Sequence, residues 1–226
     1  MRKFLPVLLA ASFLAACDKD DTIYYGDTTM VSYVNGAWVS DQGMTYYIVE
    51  QDCDDGYEEY TRALFYCDIL GAVNGKTDEF NIRLRSWSYV LSKDLLTESG
   101  LDEYENDPGD DPIYVYTGWT SGGYVNLQCG MAYESSVGGS HLINLIYDDT
   151  SESTDTLYFT LTHNGFGASD EPDVVSYFYF SVPYASAMPD GVDEIPAKIS
   201  YNWLTGYDSD GTLIRSPGSV VTTLKK

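Results

Sequence analysis

The sequence predicts an all-β protein in which a small barrel is followed by an antiparallel β-sandwich. Its 226 residues include 21 Tyr and 20 Gly, and aromatic residues favour strands while glycines favour turns. Short runs of alternating apolar and polar residues recur along the chain, as half-buried strands require. Turn pairs such as Asn35–Gly36 and Asn74–Gly75 separate these runs and are typical of hairpins.

The N-terminus has the three parts of a signal peptide over residues 1–16. Arg2 and Lys3 precede the apolar run Phe4–Leu14, and two small alanines follow it. This run of about 11 residues is too short to cross a bilayer, for which about 20 are needed. The ending Leu14–Cys17 resembles a bacterial lipobox, which implies acylation of Cys17 and anchoring of the mature chain to a membrane through that lipid. The alternative is an ordinary secretory signal with an incidental cysteine.

Residues 17–29 are predicted to be an acidic tether, because they are polar and lack periodicity. The tether starts with Asp18, Lys19, Asp20 and Asp21, which resemble the signal that sends lipoproteins of some Gram-negative bacteria to the outside of the outer membrane. We therefore expect an outer-membrane lipoprotein exposed at the cell surface. The alternative is a solvated spacer with no sorting role.

The charge balance argues against nucleic acid as a partner. The net charge is −23 for the whole chain and becomes −25 once Arg2 and Lys3 leave with the leader. Such a surface repels phosphate backbones, since duplex binding depends on cations that displace counterions. Asp residues also favour turns and keep exposed sheets soluble, so the acidity does not by itself indicate a site.

Residues 30–97 are predicted to form the barrel. In Phe80–Val90, apolar Phe80, Ile82 and Leu84 alternate with polar residues, so one face of this strand is predicted to be exposed to solvent. Five strands without a crossover helix suit the five-stranded OB-fold, although a plain β-meander would have nearly the same pattern. The five predicted strands are Met30–Val34, Ala37–Val39, Met44–Glu50, Arg62–Leu70 and Phe80–Val90. Tyr46, Tyr47, Tyr57 and Tyr60 are candidates for the barrel face that OB-folds use for ligands.

Residues 98–112 are predicted to be a linker, and residues 113–226 to be the sandwich. Leu95, Leu96 and Leu101 could form a short helix at the junction, which the Pro and Gly residues of Asn106–Pro112 would end. Seven strands then suit a sandwich. They are Ile113–Tyr116, Tyr124–Tyr133, Leu142–Tyr147, Leu157–His163, Val174–Val182, Ala197–Trp203 and Ser219–Leu224.

Three cysteines remain once Cys17 is assigned to the lipid, which permits at most one internal disulfide. Cys67 and Cys129 alternate with apolar residues and are predicted to be buried thiols. A Cys53–Cys67 bridge would close a loop of about 15 residues, and the sequence leaves open whether it forms.

The sequence offers no serine, cysteine or metal catalytic motif and no cofactor motif, although its 35 carboxylates leave open an acid pair for glycoside cleavage. His141 and His163 are the only histidines, and no CxxC, HxxxH or GxSxG motif accompanies them, so no metal is expected. His163 and Asn164 could be polar binding tips at one end of the sandwich, or His163 could be a half-buried histidine bonded to backbone. Trp119 lies in a predicted glycine-rich loop, where its ring could stack on a ligand or fold back over the sandwich.

Several segments in order resemble the NigD-like lipoproteins. After the acidic tether come Lys93–Thr97, Asn106–Pro108, Trp119, Gly122–Leu127, His141–Leu145 and Leu161–Asn164. The resemblance implies an N-terminal OB-like domain and a C-terminal β-sandwich. It also implies a role linked to bacteriocin immunity or secretion.

The sequence therefore predicts a membrane-anchored, non-enzymatic envelope lipoprotein that binds an unknown protein partner. In the alternative hypothesis it is an accessory surface lipoprotein that binds glycans. An exposed Trp119 beside other rings would favour the alternative, because aromatic faces stack on sugars.

Overall fold

The computed structural model describes residues 25–136, 139–167, 173–210 and 213–226. The predicted signal peptide, Cys17 and Asp18–Asp21 lie outside the described residues. In the described part of the chain, no helix has both the length and the apolar character needed to span a membrane.

The first five strands close into a barrel. They are β1 (Tyr25–Val34), β2 (Ala37–Ser40), β3 (Thr45–Gln51), β4 (Arg62–Ala72) and β5 (Glu79–Ser92). Their order is β3-β2-β1-β4-β5, and β3 also pairs with β5 in parallel. A meander joins only successive strands, whereas β1–β4 and β3–β5 are non-consecutive pairs that close the sheet, as in an OB-fold. The predicted barrel is thus confirmed.

The barrel core follows from the alternation of β4. Ala63, Phe65 and Cys67 point inward and are fully buried, whereas Tyr66 between them is 48% exposed. Asn35 and Gly36 have φ angles of 52° and 88°, the left-handed values that a two-residue turn between β1 and β2 requires. The hairpin predicted from this pair is therefore present.

The remaining strands form two packed layers. They are β6 (Leu96–Thr97), β7 (Tyr114–Ser121), β8 (Tyr124–Tyr133), β9 (Leu142–Tyr147), β10 (Leu157–Asn164), β11 (Val174–Pro183), β12 (Glu194–Tyr207) and β13 (Leu213–Lys225). One layer has the order β5-β11-β8-β7 and the other β13-β12-β10-β9-β6. Buried residues such as Leu127, Phe180 and Phe159 fill the space between them. The β-sandwich is confirmed, and three of its pairs are parallel: β5–β11, β10–β12 and β6–β9.

Strand β5 belongs to both halves of the molecule. Up to Tyr89 it pairs with β4 in the barrel, and from Val90 to Ser92 it pairs with β11 in the sandwich. The barrel and the first sandwich layer are therefore one continuous eight-stranded sheet.

Two segments differ from the sequence prediction. Residues 25–29, expected in the tether, are the first half of β1, because they pair with β4 through contacts such as Asp27 with Cys67. The leucine-rich segment is divided between β6 and a short 3₁₀ helix, Glu98–Glu103. Leu96 and Thr97 fall within the range predicted as barrel, yet they pair with β9 of the sandwich.

All three described cysteines are free thiols. Cys67 and Cys129 are fully buried, as the alternation predicted, and burial raises the pKa of each thiol to about 12. Cys53 is only half-buried and forms no bridge with Cys67 in this structure.

Candidate functional site

A cavity of about 490 Å³ opens beside the barrel, and we call it the barrel pocket. It lies between the β1–β2 turn, β2, β3 and a 3₁₀ helix, Asp55–Glu59. Its lining comprises Tyr33, Gly36, Ala37, Trp38, Tyr46, Tyr47, Ile48, Tyr57 and Glu58. Strand register explains its aromatic row, since Trp38 is directly opposite both Tyr33 on β1 and Tyr46 on β3.

The rings of the barrel pocket form a fixed floor and a more exposed edge. Trp38, Tyr46 and Tyr57 are at least 94% buried, whereas Tyr33 and Tyr47 are 52% and 39% exposed. The Tyr46 hydroxyl donates to Asp27 Oδ2 at 2.6 Å, and the Tyr57 hydroxyl donates to Gln51 Oε1 at 3.1 Å. These bonds orient the floor rings, and the edge rings remain available to a ligand.

One carboxylate, that of Glu58, lines the barrel pocket, and the surrounding stretch of residues 50–59 is rich in acidic side chains. The acidic residues of this stretch are Glu50, Asp52, Asp54, Asp55, Glu58 and Glu59, and all are exposed. Arg83 and Arg85 pair with Glu50 and Asp52, but within the described part of the chain Glu58 forms no ion pair. Burial, followed by the charges of Glu58 and Asp55, raises the pKa of the Tyr57 hydroxyl. The barrel pocket therefore combines aromatic walls with the single carboxylate of Glu58.

A buried ionic cluster joins the barrel to the sandwich. Arg62 on β4 is 1% exposed and donates two hydrogen bonds to Asp41, Nη1 to Oδ1 at 2.9 Å and Nη2 to Oδ2 at 2.8 Å. It also donates to Ser32 Oγ on β1 and to Asn126 Oδ1 on β8. Its guanidinium carbon lies 3.9 Å from the centre of the Tyr124 ring. Because these partners come from both halves, the cluster fixes the barrel against the sandwich.

A second cavity, of about 340 Å³, lies at the same junction, and we call it the junction cleft. The sandwich contributes Thr117, Trp119, Ser121, Gln128 and Tyr179, and the barrel side contributes Thr28, Thr29, Met30, Gln42 and Leu64. The prediction that Trp119 lies in a loop is wrong, because β7 continues through Trp119 to Ser121. The turn itself is only Gly122–Gly123.

The two histidines meet at the other end of the sandwich. His163 is fully buried, and its Nδ1 lies 3.1 Å from the Pro112 carbonyl oxygen. Because a carbonyl only accepts, Nδ1 carries the proton, and in the neutral ring Nε2 must accept from His141 Nδ1, 2.9 Å away. Burial lowers the pKa of both rings, and for His163 the neighbouring His141 lowers it further.

His163 and Asn164 hold the segment Asp107–Pro112 against the sandwich. Asn164 Nδ2 donates to the Asp107 carbonyl at 2.9 Å, and the Asp111 amide donates to the His163 carbonyl at 2.8 Å. Trp119 lies seven residues beyond Pro112, about 20 Å further along β7 at the usual rise per residue. The structure therefore brings His163 and Asn164 together but places Trp119 in a different site. Their roles in binding remain predictions.

Sequence reasoning found part of the barrel pocket. Tyr46, Tyr47 and Tyr57 line it, but Tyr60 instead packs on Trp87 and Tyr89, with ring centres 5.6 and 4.6 Å away. Tyr33, Trp38 and Glu58 were missed. The Asn35–Gly36 turn could have revealed the first two, since a two-residue hairpin places Tyr33 opposite Trp38.

No group of three or more His, Cys, Asp or Glu side chains able to hold a metal occurs among the residues that the structure describes. The barrel pocket presents aromatic rings and one carboxylate, and the junction cleft presents aromatic rings, amides and hydroxyls.

The fold and these sites define a two-part all-β protein, an OB-like barrel fused to a β-sandwich through a shared strand. The chain belongs to the NigD-like family, because residues 96–209 match the model of the NigD-like C-terminal beta sandwich domain. Among curated proteins, none matches the chain in sequence.

Three solved structures share the whole architecture. A NigD-like immunity protein from Bacteroides caccae is 20% identical, with a TM-score of 0.59 over 87% of this chain and 96% of that one. A protein proposed to be toxin-related, from Parabacteroides distasonis, is also 20% identical, with a TM-score of 0.55 over 88% and 92%. A protein from Bacteroides fragilis proposed to be a lipoprotein is 12% identical, with a TM-score of 0.60 over 89% and 99%. At these identities the likeness shows the fold alone.

Proposed function

We propose that this protein is a membrane-anchored, non-enzymatic envelope lipoprotein whose barrel pocket binds a cationic segment of a protein partner. The observation that carries the proposal is the combination of aromatic walls and the Glu58 carboxylate in one open cavity. Immunity to a bacteriocin is the version of this role that the family membership supports, since one similar structure is a NigD-like immunity protein.

The barrel pocket suits a lysine or arginine side chain. A cation over a Trp or Tyr face gains about 0.5–1 kcal/mol at exposed sites, and more once water is excluded. The exposed rings of Tyr33 and Tyr47 offer such faces, and Glu58 adds a carboxylate at the same cavity. The net charge of −23 would also draw a cationic partner toward the surface.

Anchoring would place the pocket where an incoming toxin or an envelope partner arrives. Cys17 would carry the lipid, and Asp18, Lys19, Asp20 and Asp21 would direct the protein to the outer face of the outer membrane. The similar Bacteroides fragilis protein, proposed to be a lipoprotein, supports the lipid anchor. Binding of this kind needs no catalytic residue and no cofactor.

Site-specific photo-crosslinking of the full lipoprotein on producing cells would test the proposal. Benzoylphenylalanine would replace Tyr33 or Tyr47 in the pocket. As matched controls it would replace Tyr66 or Tyr177, which are 48% and 64% exposed elsewhere. We expect the two pocket positions to capture the same protein, with the crosslink mapping beside a lysine or arginine. Glu58→Gln should weaken capture several-fold.

Equal capture from pocket and control positions would overturn the proposal. A crosslink to a segment without basic residues would overturn its cationic specificity.

A further inference from the structure

We propose that the junction cleft is a saccharide-binding site, separate from the barrel pocket and independent of the protein partner proposed above. Its place between two halves of the molecule is one where ligand sites commonly form. At about 340 Å³ it lies at the lower end of the range for ligand sites, about 300–1,000 Å³. This size suits a ligand of one or two sugar rings.

The lining of the junction cleft carries no charged side chain, although the chain has 47 charged residues. Its polar groups are hydroxyls and amides, from Thr28, Thr117, Gln42 and Gln128 among others. Amides and hydroxyls both donate and accept hydrogen bonds, which matches a neutral ligand rich in hydroxyl groups. The half-buried Trp119 supplies an aromatic face, and a sugar ring presents an apolar C–H face that stacks on such a surface.

The floor of the cleft is set by strand register. Gln128 on β8 is directly opposite Thr117 on β7 and Tyr179 on β11. Trp119 lies two residues beyond Thr117 and so shares its face of the sheet. The Gln128 amide, the Thr117 hydroxyl and the rings of Trp119 and Tyr179 therefore lie on one face of three paired strands.

The opposite wall is also oriented before any ligand arrives. Thr29 Oγ1 donates to Gln42 Oε1 at 2.8 Å, which leaves the amide NH₂ of Gln42 to donate to a ligand. The buried Arg62–Asp41 pair, with Asn126 and Ser121, fixes this wall against the sandwich floor. Such preorganisation reduces the entropy lost on binding.

Saturation-transfer NMR on the complete mature lipoprotein would test the proposal with a panel of neutral disaccharides: maltose, cellobiose, lactose and chitobiose. We expect at least one to bind, with transfer strongest at the ring protons of one sugar face. Trp119→Ala should weaken that binding at least tenfold, Trp119→Phe less, and Thr117→Val several-fold. Thr117 is exposed, so its variant should fold normally even where a tryptophan variant does not.

Tyr177→Ala is the matched control, since the Tyr177 ring is 64% exposed elsewhere on the same sheet, and it should leave binding unchanged. Glu58→Gln should also bind saccharide normally, which separates this site from the barrel pocket. The proposal is overturned when no disaccharide of the panel binds, or when Thr117→Val and Trp119→Phe bind as well as the unchanged protein.

Discussion

Arg62 and His163 are both almost completely buried, yet one is buried as a cation and the other as a neutral ring. Arg62 sits at the junction with the barrel, where Asp41 matches its charge with two hydrogen bonds. His163 sits at the far end of the sandwich, where a carbonyl and a second histidine surround it. A buried ion pair thus stabilises one end of the sandwich, and a pair of hydrogen-bonded neutral histidines stabilises the other.

The two clusters differ in the kind of change that weakens them. A buried ion pair compensates a large desolvation penalty only while both partners are present. A neutral histidine carries a smaller penalty, but its bonds depend on its proton count. The junction should therefore be sensitive to mutation, and the histidine end should be sensitive to pH.

Arg62→Met gives the largest expected effect. It would leave Asp41 buried without its partner, which typically costs about 3–5 kcal/mol of unfolding free energy. Urea denaturation would measure this loss. Lys225→Met is the control, because Lys225 and Glu194 form an ion pair in which both side chains are exposed, at 63% and 60%, and the change should cost no more than about 1 kcal/mol. Similar losses for the two variants would show that the junction is not held by its buried charges.

The packing around Asp41 can be tested by comparing the stabilities of the variants Gly122→Ala and Gly123→Ala. Both glycines have left-handed φ angles, 58° and 82°, so alanine is strained at each by about 1–2 kcal/mol. A Cβ at Gly122 would lie 2.5 Å from Asp41 Oδ1, whereas one at Gly123 would meet nothing within 4 Å. We expect Gly122→Ala to be less stable by a further 1–3 kcal/mol or so, measured by thermal or urea unfolding. Equal stabilities would mean that Asp41 can shift freely.

Acidification below about pH 6.5 should weaken the histidine end. The folded pKa of both rings is below the ordinary value of 6.5, so the unfolded chain binds more protons as the pH falls. The contribution is intact above the unfolded pKa and is lost as the pH drops toward the folded pKa, by about 1.4 kcal/mol per pH unit for each proton taken up. The carboxylate of Asp111 opposes this shift at both rings.

Urea unfolding at pH 7.5, 6.5 and 5.5 would measure the pH effect. His163→Met removes the titrating group while keeping an apolar side chain in the space. Its unfolding free energy should depend less on pH than that of the unchanged protein. The same slope in both proteins would contradict the role of the pair.

Most strands could be predicted from the sequence because one face of each is exposed to solvent. The apolar residues Phe80, Ile82 and Leu84, which alternate with polar residues, show this pattern directly. The pairing of β3 with β5 could not be predicted so directly, since it depends on closure of the sheet in three dimensions. The Arg62–Asp41 pair was invisible for the same reason: the two residues are 21 positions apart, and each resembles an ordinary surface charge.

The sequence misplaces Trp119 because the glycines on either side of it predict a loop. Gly118 is needed for packing instead, since a Cβ there would lie 2.9 Å from Leu127 Cδ2. Glycine in a strand often marks such a close approach, but the sequence alone does not distinguish it from a turn.

The shared strand β5 also sets an order of events during folding. All barrel pairs lie within residues 25–92, whereas Val90–Ser92 must wait for Tyr179–Ser181, about 90 residues later, before they are paired. A chain that emerges N-terminus first can close its barrel early, and it then carries a short unpaired strand end until β11 arrives. Unpaired strand ends promote aggregation, so the folding protein is most prone to aggregate in the interval between the two closures.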